Sequence, residues 1–519
     1  MDINPKSKVN QNQYVDNDAD RADLKEKSLR SGLITFGAQP IKLAIGIGST
    51  AILARLLTPA DFGLLAMVSP LLLLADSLSN LGMETATVHK EKLEHTLLSA
   101  IFWLSLGVNV VVFGLMVLIA PILAWFYKEA RLTEVTLVLA VGFLSQCLTF
   151  QHKSLLKRQM RFGTLTAIDV ASLFIGNGCA LLVAWLGFSY WALVLQVVIV
   201  QFIQSIACWF VCDWRPARYS SYFLTLDANL RSMFAYGGHL TAFRVFTRLS
   251  KRLDRILIGY FSGARALGLY DVAYRWAYFA FELVYMPLFD VAVSSFSRVQ
   301  HDPDLYRAYC RRGLMPIFAL CMPALAFSFV EAREVILLLL GNQWLEAVPI
   351  FQLLTVAVFF NSTDRVTKWL YVSEGQTQRQ FHWSLISTPV MICALAVGAT
   401  WGAYGISMGY TVATCLLAYP SITYCLKTSP VSISDFNSAV VPSALASVAG
   451  GIVLFASRFV LPNTTNIVLN LLLKLTVFAI TYFSIWLLFP SSREVKTEIL
   501  IKLKQLILKL KKLTKQKDE

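Results

Sequence analysis

Fourteen apolar stretches, each long enough to cross a lipid bilayer, occupy this sequence almost without a break from about Ser31 to Pro490. A helix crosses the bilayer core of roughly 30 Å with about 20 apolar residues. The mean hydropathy is +0.58, and only 15% of the 519 residues are charged, against about 25% in an ordinary soluble domain. The sequence therefore predicts an all-α polytopic membrane protein.

The positions of the spans follow from the apolar runs and the polar residues between them. We place them at 31–56, 62–86, 97–123, 134–151, 165–187, 190–212, 232–261, 267–295, 313–340, 346–372, 381–400, 403–425, 437–460 and 466–489.

Orientation follows from the basic residues, which resist transfer across the membrane. If odd-numbered spans run outward, 30 of the 46 Lys and Arg residues lie in cytoplasmic segments and 6 lie in or next to outer loops. Both termini are then cytoplasmic. The first 30 residues are polar and carry no signal-peptide pattern, so we expect the first span to direct membrane insertion. The formal charge of +14 fits cytoplasmic loops facing anionic lipid better than nucleic acid.

The sequence also contains an internal repeat. The segment ILARLLTPADFGLL at Ile52–Leu65 is similar to ILIGYFSGARALGLY at Ile256–Tyr270 once one residue is inserted. The match aligns the end of span 1 with the end of span 7, which predicts two parallel six-helix lobes related by an axis along the membrane normal. Chance similarity between two short turns is the alternative.

This repeat gives the predicted domains. They are a cytoplasmic tail (1–30), an N-lobe (31–213), a linker (214–231), a C-lobe (232–427), two further spans (437–489) and a basic amphipathic tail on the inner leaflet (491–519).

Charged residues inside spans are costly and usually functional, and span 7 holds the densest set. Arg244, Arg248, Arg252 and Arg255 follow one another at steps of four, four and three, with Lys251 and Asp254 beside them. This spacing places four guanidinium groups on one helical face. Such a cationic stripe would line a wet cavity and bind phosphate oxygens. Alternatively, these side chains reach the outer interface or pair with one another.

Span 1 contains a second candidate substrate contact, Lys42, next to the helix-bending Pro40. A kinked helix whose lysine extends to the interface is the alternative. Further intramembrane charges are candidates for ion coupling or gating, or for structural ion pairs. They are Asp76 in span 2, Asp254 in span 7, Arg275 and Glu282 in span 8, and Asp364 and Arg365 in span 10.

No catalytic group, metal site or cofactor is predicted. The nine cysteines lack metal-type CxxC spacing, and most lie inside apolar runs. An integral-membrane glycosyltransferase or polymerase would need catalytic carboxylates, commonly on sizeable outer loops, whereas the outer loops predicted here are short.

Two stretches resemble the Wzx-type polysaccharide flippases, particularly the colanic-acid and teichuronic-acid exporter branch. They are GAQPIKLAIGIGSTAILARLLTPADFGLLAMVSPLLLLADSLSNLGMETATV, from Gly37, and DRILIGYFSGARALGLYDVAYRWAYFAFELVYMP, from Asp254. The resemblance implies the fold of the multidrug, oligosaccharidyl-lipid and polysaccharide exporter superfamily, with two six-helix lobes around a central cavity.

The resemblance also implies the activity, which is transfer of polyprenyl-pyrophosphate-linked oligosaccharides across the bacterial cytoplasmic membrane by alternating access. Membrane lipids and the polysaccharide polymerase machinery are the expected partners. A lipid II flippase and a cation-coupled drug exporter of the same superfamily are the alternatives, and the basic stripe disfavours the second.

Overall fold

The computed structural model describes residues 21–80, 95–217, 249, 252–299, 302–459 and 466–490. Within these ranges the regular structure is helical, as the sequence predicts. Two short 3-10 helices occur at Asn342–Ala347 and Ala399–Trp401. The α-helices are α1 (Arg21–Leu56), α2 (Pro59–Asn80), α3 (His95–Tyr127), α4 (Arg131–Cys147), α5 (Phe150–Arg158), α6 (Phe162–Trp185), α7 (Trp191–Val211), α8 (Leu253–Arg298), α9 (Pro303–Val330), α10 (Ala332–Leu339), α11 (Val348–Ser373), α12 (Thr377–Gly398), α13 (Gly402–Leu426), α14 (Ile433–Ser457) and α15 (Ile467–Trp486).

Ten segments of the described chain are long and apolar enough to cross a membrane. The longest, Thr377–Leu426, contains both α12 and α13, so these segments account for eleven of the fourteen predicted spans. Helices α1 and α8 cover the first, the eighth and the end of the seventh predicted span, and α8 is interrupted at Gly263, where φ is +78°. The structure thus confirms a polytopic helical protein.

Contacts divide the chain into two compact units, residues 1–268 and 269–519, and the division falls inside α8. The predicted domain boundaries stay predictions, since much of the predicted linker, residues 218–231, lies outside the described part of the chain.

In the first unit, the two copies of the repeated turn pack against each other. Gly63 in the first copy faces the carbonyl oxygen of Ala264, and Gly268 in the second faces that of Pro59. Gly63 and Gly268 occupy equivalent places in the repeat. A Cβ atom on either glycine would overlap the opposing backbone. The repeated glycines therefore permit a close backbone contact between the two copies.

We expect Gly63→Ala to destabilise the first unit markedly, because the added Cβ would push the two turns apart and neither backbone can yield cheaply. The expected loss is on the order of 2 kcal/mol, within the usual range for overpacking. Gly114→Ala in α3 is the matched control, because nothing lies within 4 Å of its added Cβ. Unfolding of both variants in detergent, followed by tryptophan fluorescence, checks this prediction; equal stability of the two variants would contradict it.

In the second unit, the helix that corresponds to span 9 begins and ends ten residues earlier than the predicted span. The sequence placed this span at 313–340, but α9 runs over Pro303–Val330 and a separate helix, α10, follows. Asp302 caps α9 by accepting from the backbone N–H groups of Asp304 and Leu305, and Pro303 fixes its first turn. Arg307, Arg311 and Arg312, which precede the predicted span, therefore lie on the first turns of α9.

The last two helices are joined to the junction between α9 and α10 by a buried ion pair. Lys474 of α15 donates to Glu331 over 2.7 Å, and the side chains of these residues are 4% and 0% exposed. Arg458, directly after α14, lies 3.3 Å from the other carboxylate oxygen of Glu331 and also donates to the carbonyl oxygen of Val330. One carboxylate thus joins both C-terminal helices to the rest of the second unit.

A second polar contact holds the turn after α13 against the turn after α11. Glu374 accepts a hydrogen bond from Ser429 over 2.5 Å and another from Gln376 over 3.0 Å. Partial burial raises the pKa of the Glu374 carboxyl above its ordinary value, although its hydrogen-bond donors and Arg379 oppose this shift.

We expect Glu374→Gln to stabilise the protein at neutral pH and to have little effect in acid. A raised folded-state pKa gives stability that is complete below the unfolded-state pKa and is lost as the pH rises through the folded value. Ionised Glu374 is therefore the less stable form, whereas glutamine keeps an acceptor for Ser429 without the charge. Melting temperatures of both proteins at pH 4 and pH 7.5 check this; a larger gain at pH 4 would contradict it.

Candidate functional site

In the first unit, a chain of hydrogen bonds joins four helices around Lys42. The amine of Lys42, on α1, donates to a carboxylate oxygen of Asp169, on α6, over 2.6 Å. The other carboxylate oxygen accepts from Gln204, on α7, over 3.3 Å. The carbonyl oxygen of Gln204 in turn accepts from Lys153, on α5, over 2.8 Å. We call these four residues the lysine relay.

The position of Lys42 suits a group that exchanges partners. It lies 14 residues before the end of α1, about 21 Å along the helix axis at 1.5 Å per residue. The side chains of Lys42 and Asp169 are 21% and 33% exposed, so the pair is accessible. Pro40 lies inside α1 just before it and removes one backbone hydrogen bond there. The lysine relay contains two ammonium groups and one carboxylate, and so has a net positive charge.

In the second unit, charged and aromatic residues meet where α8, α11 and α13 pack together. Arg365 lies 3.5 Å from Glu282, and its guanidinium carbon is 4.9 Å from the ring centre of Tyr278. Asp364 accepts from Ser421 over 2.6 Å and lies 3.5 Å from Lys368. The predicted charges Arg365, Glu282 and Asp364 are thus near one another, and each has an oppositely charged neighbour.

The comparisons with known proteins agree with this architecture. Residues 52–349 match the model of a family described as polysaccharide biosynthesis protein. The chain belongs to this family. The matched segment begins at the first copy of the repeated turn and continues beyond the second.

Two relatives have names that, like the family description, refer to biosynthesis, one of lipopolysaccharide and the other of teichuronic acid. The lipopolysaccharide biosynthesis protein WzxC of Escherichia coli (strain K12) is 22% identical, over 83% of this chain and 89% of its own length. The teichuronic acid biosynthesis protein TuaB of Bacillus subtilis (strain 168) is 23% identical, over 79% and 85%.

Among solved structures, the lipid II flippase MurJ in an inward closed conformation has a TM-score of 0.69 at 13% identity. The match covers 87% of this chain and 97% of MurJ. An inward-facing multidrug transporter of the MATE family has a TM-score of 0.57 at 12% identity, with 76% and 97% covered. Both likenesses show that this polysaccharide biosynthesis protein has the same overall fold as MurJ and the MATE transporter.

The predicted stripe on span 7 is described only at its end. Arg244, Arg248 and Lys251 lie outside the described residues, so their place in a cavity stays a prediction. Arg252 is half-buried, while the Arg255 side chain is 4% exposed and donates to Asp254 over 3.2 Å. The pairing that the sequence left open as an alternative is therefore present between Asp254 and Arg255.

The structure also describes two other coupling candidates, Arg275 and Asp76. Arg275 donates to Asp271, one helical turn earlier, over 2.8 Å. Asp76 is half-buried on α2. Their predicted roles in coupling or gating stay predictions.

Some residues of these sites were not singled out from the sequence as site residues. Gln204 belongs to the lysine relay of the first unit, and in the second unit Asn361 and Tyr410 each form a hydrogen bond with Tyr278. Their common signal is a polar group inside an apolar span, where an unpaired polar atom is costly. This signal marks such residues as paired but does not name the partner.

Proposed function

We propose that this protein is a flippase that moves polyprenyl-pyrophosphate-linked oligosaccharide repeat units from the inner to the outer leaflet of the cytoplasmic membrane. Transport by alternating access would serve the export of cell-surface polysaccharide. Family membership, the names of the relatives and the flippase-like fold support this proposal. The observation that carries it is the net positive lysine relay, which joins α1, α5, α6 and α7 of the first unit.

A diphosphate group suits the lysine relay better than a cationic or neutral ligand does. The ammonium group of Lys42 has a close carboxylate partner, while Lys153 is held by the neutral amide of Gln204. A partly buried positive charge gains free energy when an anion approaches. We infer that a phosphate oxygen takes the place of Asp169 at Lys42 during transport.

The basic residues of span 7 extend the same proposal. We propose that Arg244, Arg248, Lys251, Arg252 and Arg255 contact the diphosphate or acidic sugars at a later stage of its passage. Guanidinium groups match phosphate oxygens through two parallel hydrogen bonds. For Arg255, this requires its contact with Asp254 to be exchanged.

Orientation and partners belong to the same proposal. We place both termini in the cytoplasm on the distribution of basic residues. Membrane lipids would surround the apolar helices, and the polysaccharide polymerase that uses the exported unit would act next.

The proposed function is tested in cells that lack the chromosomal gene and carry the wild type, Arg244→Ala or Arg248→Ala on a plasmid. The amount of lipid-linked oligosaccharide and its leaflet are measured with a membrane-impermeant sugar oxidant on right-side-out and inverted vesicles. We expect the unit to accumulate on the inner leaflet in the deletion strain and in both variants, but not with the wild type.

Other results would assign another function. Accumulation of lipid II in the deletion strain, with unchanged polysaccharide intermediates, would make the protein a lipid II flippase. Normal export in the deletion strain would exclude a role in flipping, and normal export in the two variants would remove Arg244 and Arg248 from the site.

A further inference from the structure

A half-buried cluster in the second unit combines tyrosine rings with both donors and acceptors of hydrogen bonds. The geometry points to a saccharide-binding site, which would hold the sugar part of the lipid-linked substrate. This inference rests on the proposed flippase function and assigns one region of the chain to one part of its substrate. The saccharide cluster consists of Tyr274, Tyr278, Glu282, Asn361, Arg365 and Tyr410.

A tyrosine ladder on α8 forms one wall of the saccharide cluster. Tyr270, Tyr274 and Tyr278 follow one another at steps of four and therefore share a helical face. The rings of Tyr274 and Tyr278 stack with their centres 4.4 Å apart, and Tyr410 of α13 meets Tyr274 edge-on at 6.3 Å. Tyr274 and Tyr410 are half-buried, so part of this aromatic surface is accessible to the C–H groups of a sugar ring.

Neutral polar groups are fixed beside these rings. The amide nitrogen of Asn361, on α11, donates to the hydroxyl of Tyr278 over 2.7 Å and to that of Tyr410 over 3.2 Å. The two hydroxyls lie 2.8 Å apart. Tyr410 is the more accessible of the two, and because its hydroxyl both donates and accepts, it can hydrogen-bond sugar hydroxyls in either direction.

Arg365 is held in one orientation by its neighbours. Its guanidinium lies over the rings of Tyr278 and Phe281, with its carbon 4.9 Å and 5.9 Å from their centres. On the same residue, the backbone carbonyl accepts from the hydroxyl of Tyr285 over 3.1 Å. A guanidinium stacked in this way loses little further freedom when it binds a ligand.

The charges around Arg365 favour a sugar over a diphosphate. Its guanidinium lies 3.5 Å from Glu282, and the two side chains are 23% and 45% exposed. The adjacent Asp364 and Lys368 form a second pair of opposite charges, so these four groups sum to no net charge. A carboxylate repels an approaching anion, whereas a sugar hydroxyl accepts from the guanidinium and donates to the carboxylate. The lysine relay, with two cations and one anion, has the opposite preference.

Two probes test the assignment on the full-length protein in lipid nanodiscs. One is undecaprenyl diphosphate, and the other is the free oligosaccharide released by mild acid from the lipid carrier of the host. For the wild type we expect saturable binding of both. For Arg365→Lys, which keeps the charge but loses the planar fork, we expect oligosaccharide binding about tenfold weaker and undecaprenyl diphosphate binding within about twofold of the wild type.

A second pair of variants separates recognition from folding. Tyr410→Phe removes only a hydroxyl of the cluster, and we expect it to weaken oligosaccharide binding several-fold. Tyr404→Phe, on the same helix with its side chain 50% exposed, is the matched control and should bind both probes as the wild type does. Melting temperatures show that each variant is folded.

The remaining outcomes distinguish failure of the saccharide site from failure of the proposed function. A wild type that binds undecaprenyl diphosphate but not the oligosaccharide overturns the saccharide site and leaves the proposed function standing. Equal losses for both probes in Arg365→Lys, or no loss in either cluster variant, also overturn it. A wild type that binds neither probe overturns the proposed function itself.

Discussion

Lys42→Ala is expected to slow transfer of the lipid-linked oligosaccharide about ten- to a hundredfold. A hydrogen bond to a charged group contributes about 1.5–3 kcal/mol, and each 1.4 kcal/mol corresponds to a factor of ten. Lys42 is the partly buried cation that Asp169 holds at 2.6 Å, and its loss removes the group proposed to receive the diphosphate. The measurement is the initial rate at which labelled lipid-linked oligosaccharide crosses the membrane of inverted vesicles.

Exchanging the charges of Lys42 and Asp169 distinguishes a role of Lys42 in substrate binding from a role in stabilising the fold. The double variant Lys42→Asp with Asp169→Lys restores an ion pair between α1 and α6 and should therefore recover stability. It should not recover the rate, because the cation then lies on the other helix. Recovery of both would show that Lys42 serves only to pair with Asp169.

Removing the charge of Asp169, the partner of Lys42, should strengthen diphosphate binding instead of weakening it. Asp169→Asn leaves Lys42 without its ionic partner, so we expect undecaprenyl diphosphate to bind more tightly than it does to the wild type. Release should become slower, because the carboxylate no longer competes for the ammonium group. Weaker binding in Asp169→Asn would contradict an exchange between Asp169 and phosphate.

Glu331→Ala is expected to destabilise the protein by about 3–5 kcal/mol, the usual cost of leaving a buried charge without its partner. Lys474 is 4% exposed within α15 and would lose the carboxylate that accepts its hydrogen bond at 2.7 Å. Arg458 would lose the same acceptor. The midpoint and slope of unfolding in sodium dodecyl sulfate measure the loss.

Two controls accompany this prediction. Glu331→Gln combined with Lys474→Met removes the buried ionic pair, and such replacements are often neutral or stabilising, so most of the stability should return. Arg131→Ala breaks the exposed pair with Glu129 at 2.8 Å and should cost at most about 1 kcal/mol. A loss in Glu331→Ala no larger than that in Arg131→Ala would show that the Glu331 pair does not hold the C-terminal helices.

The internal repeat shows which structural features can be predicted from sequence similarity and which cannot. Similarity between residues 52–65 and 256–270 predicted two equivalent turns. It did not predict that the equivalent glycines, Gly63 and Gly268, each face the backbone of the opposite turn, at Ala264 and Pro59. Sequence similarity shows that two segments have the same local shape, whereas their contact depends on the helices that carry them.

The sequence alone determined that this chain is a helical membrane protein with intramembrane charges such as Lys42 and Arg365. Hydrophobic length is a local property, and the cost of a charge among apolar residues is evident at the residue itself. Only the tertiary structure decided the partners: Asp169 for Lys42, 127 residues away, and Glu331 for Lys474, 143 residues away. The low dielectric of the helical interior requires such charges to pair, but the packing of the helices determines which carboxylate comes within reach.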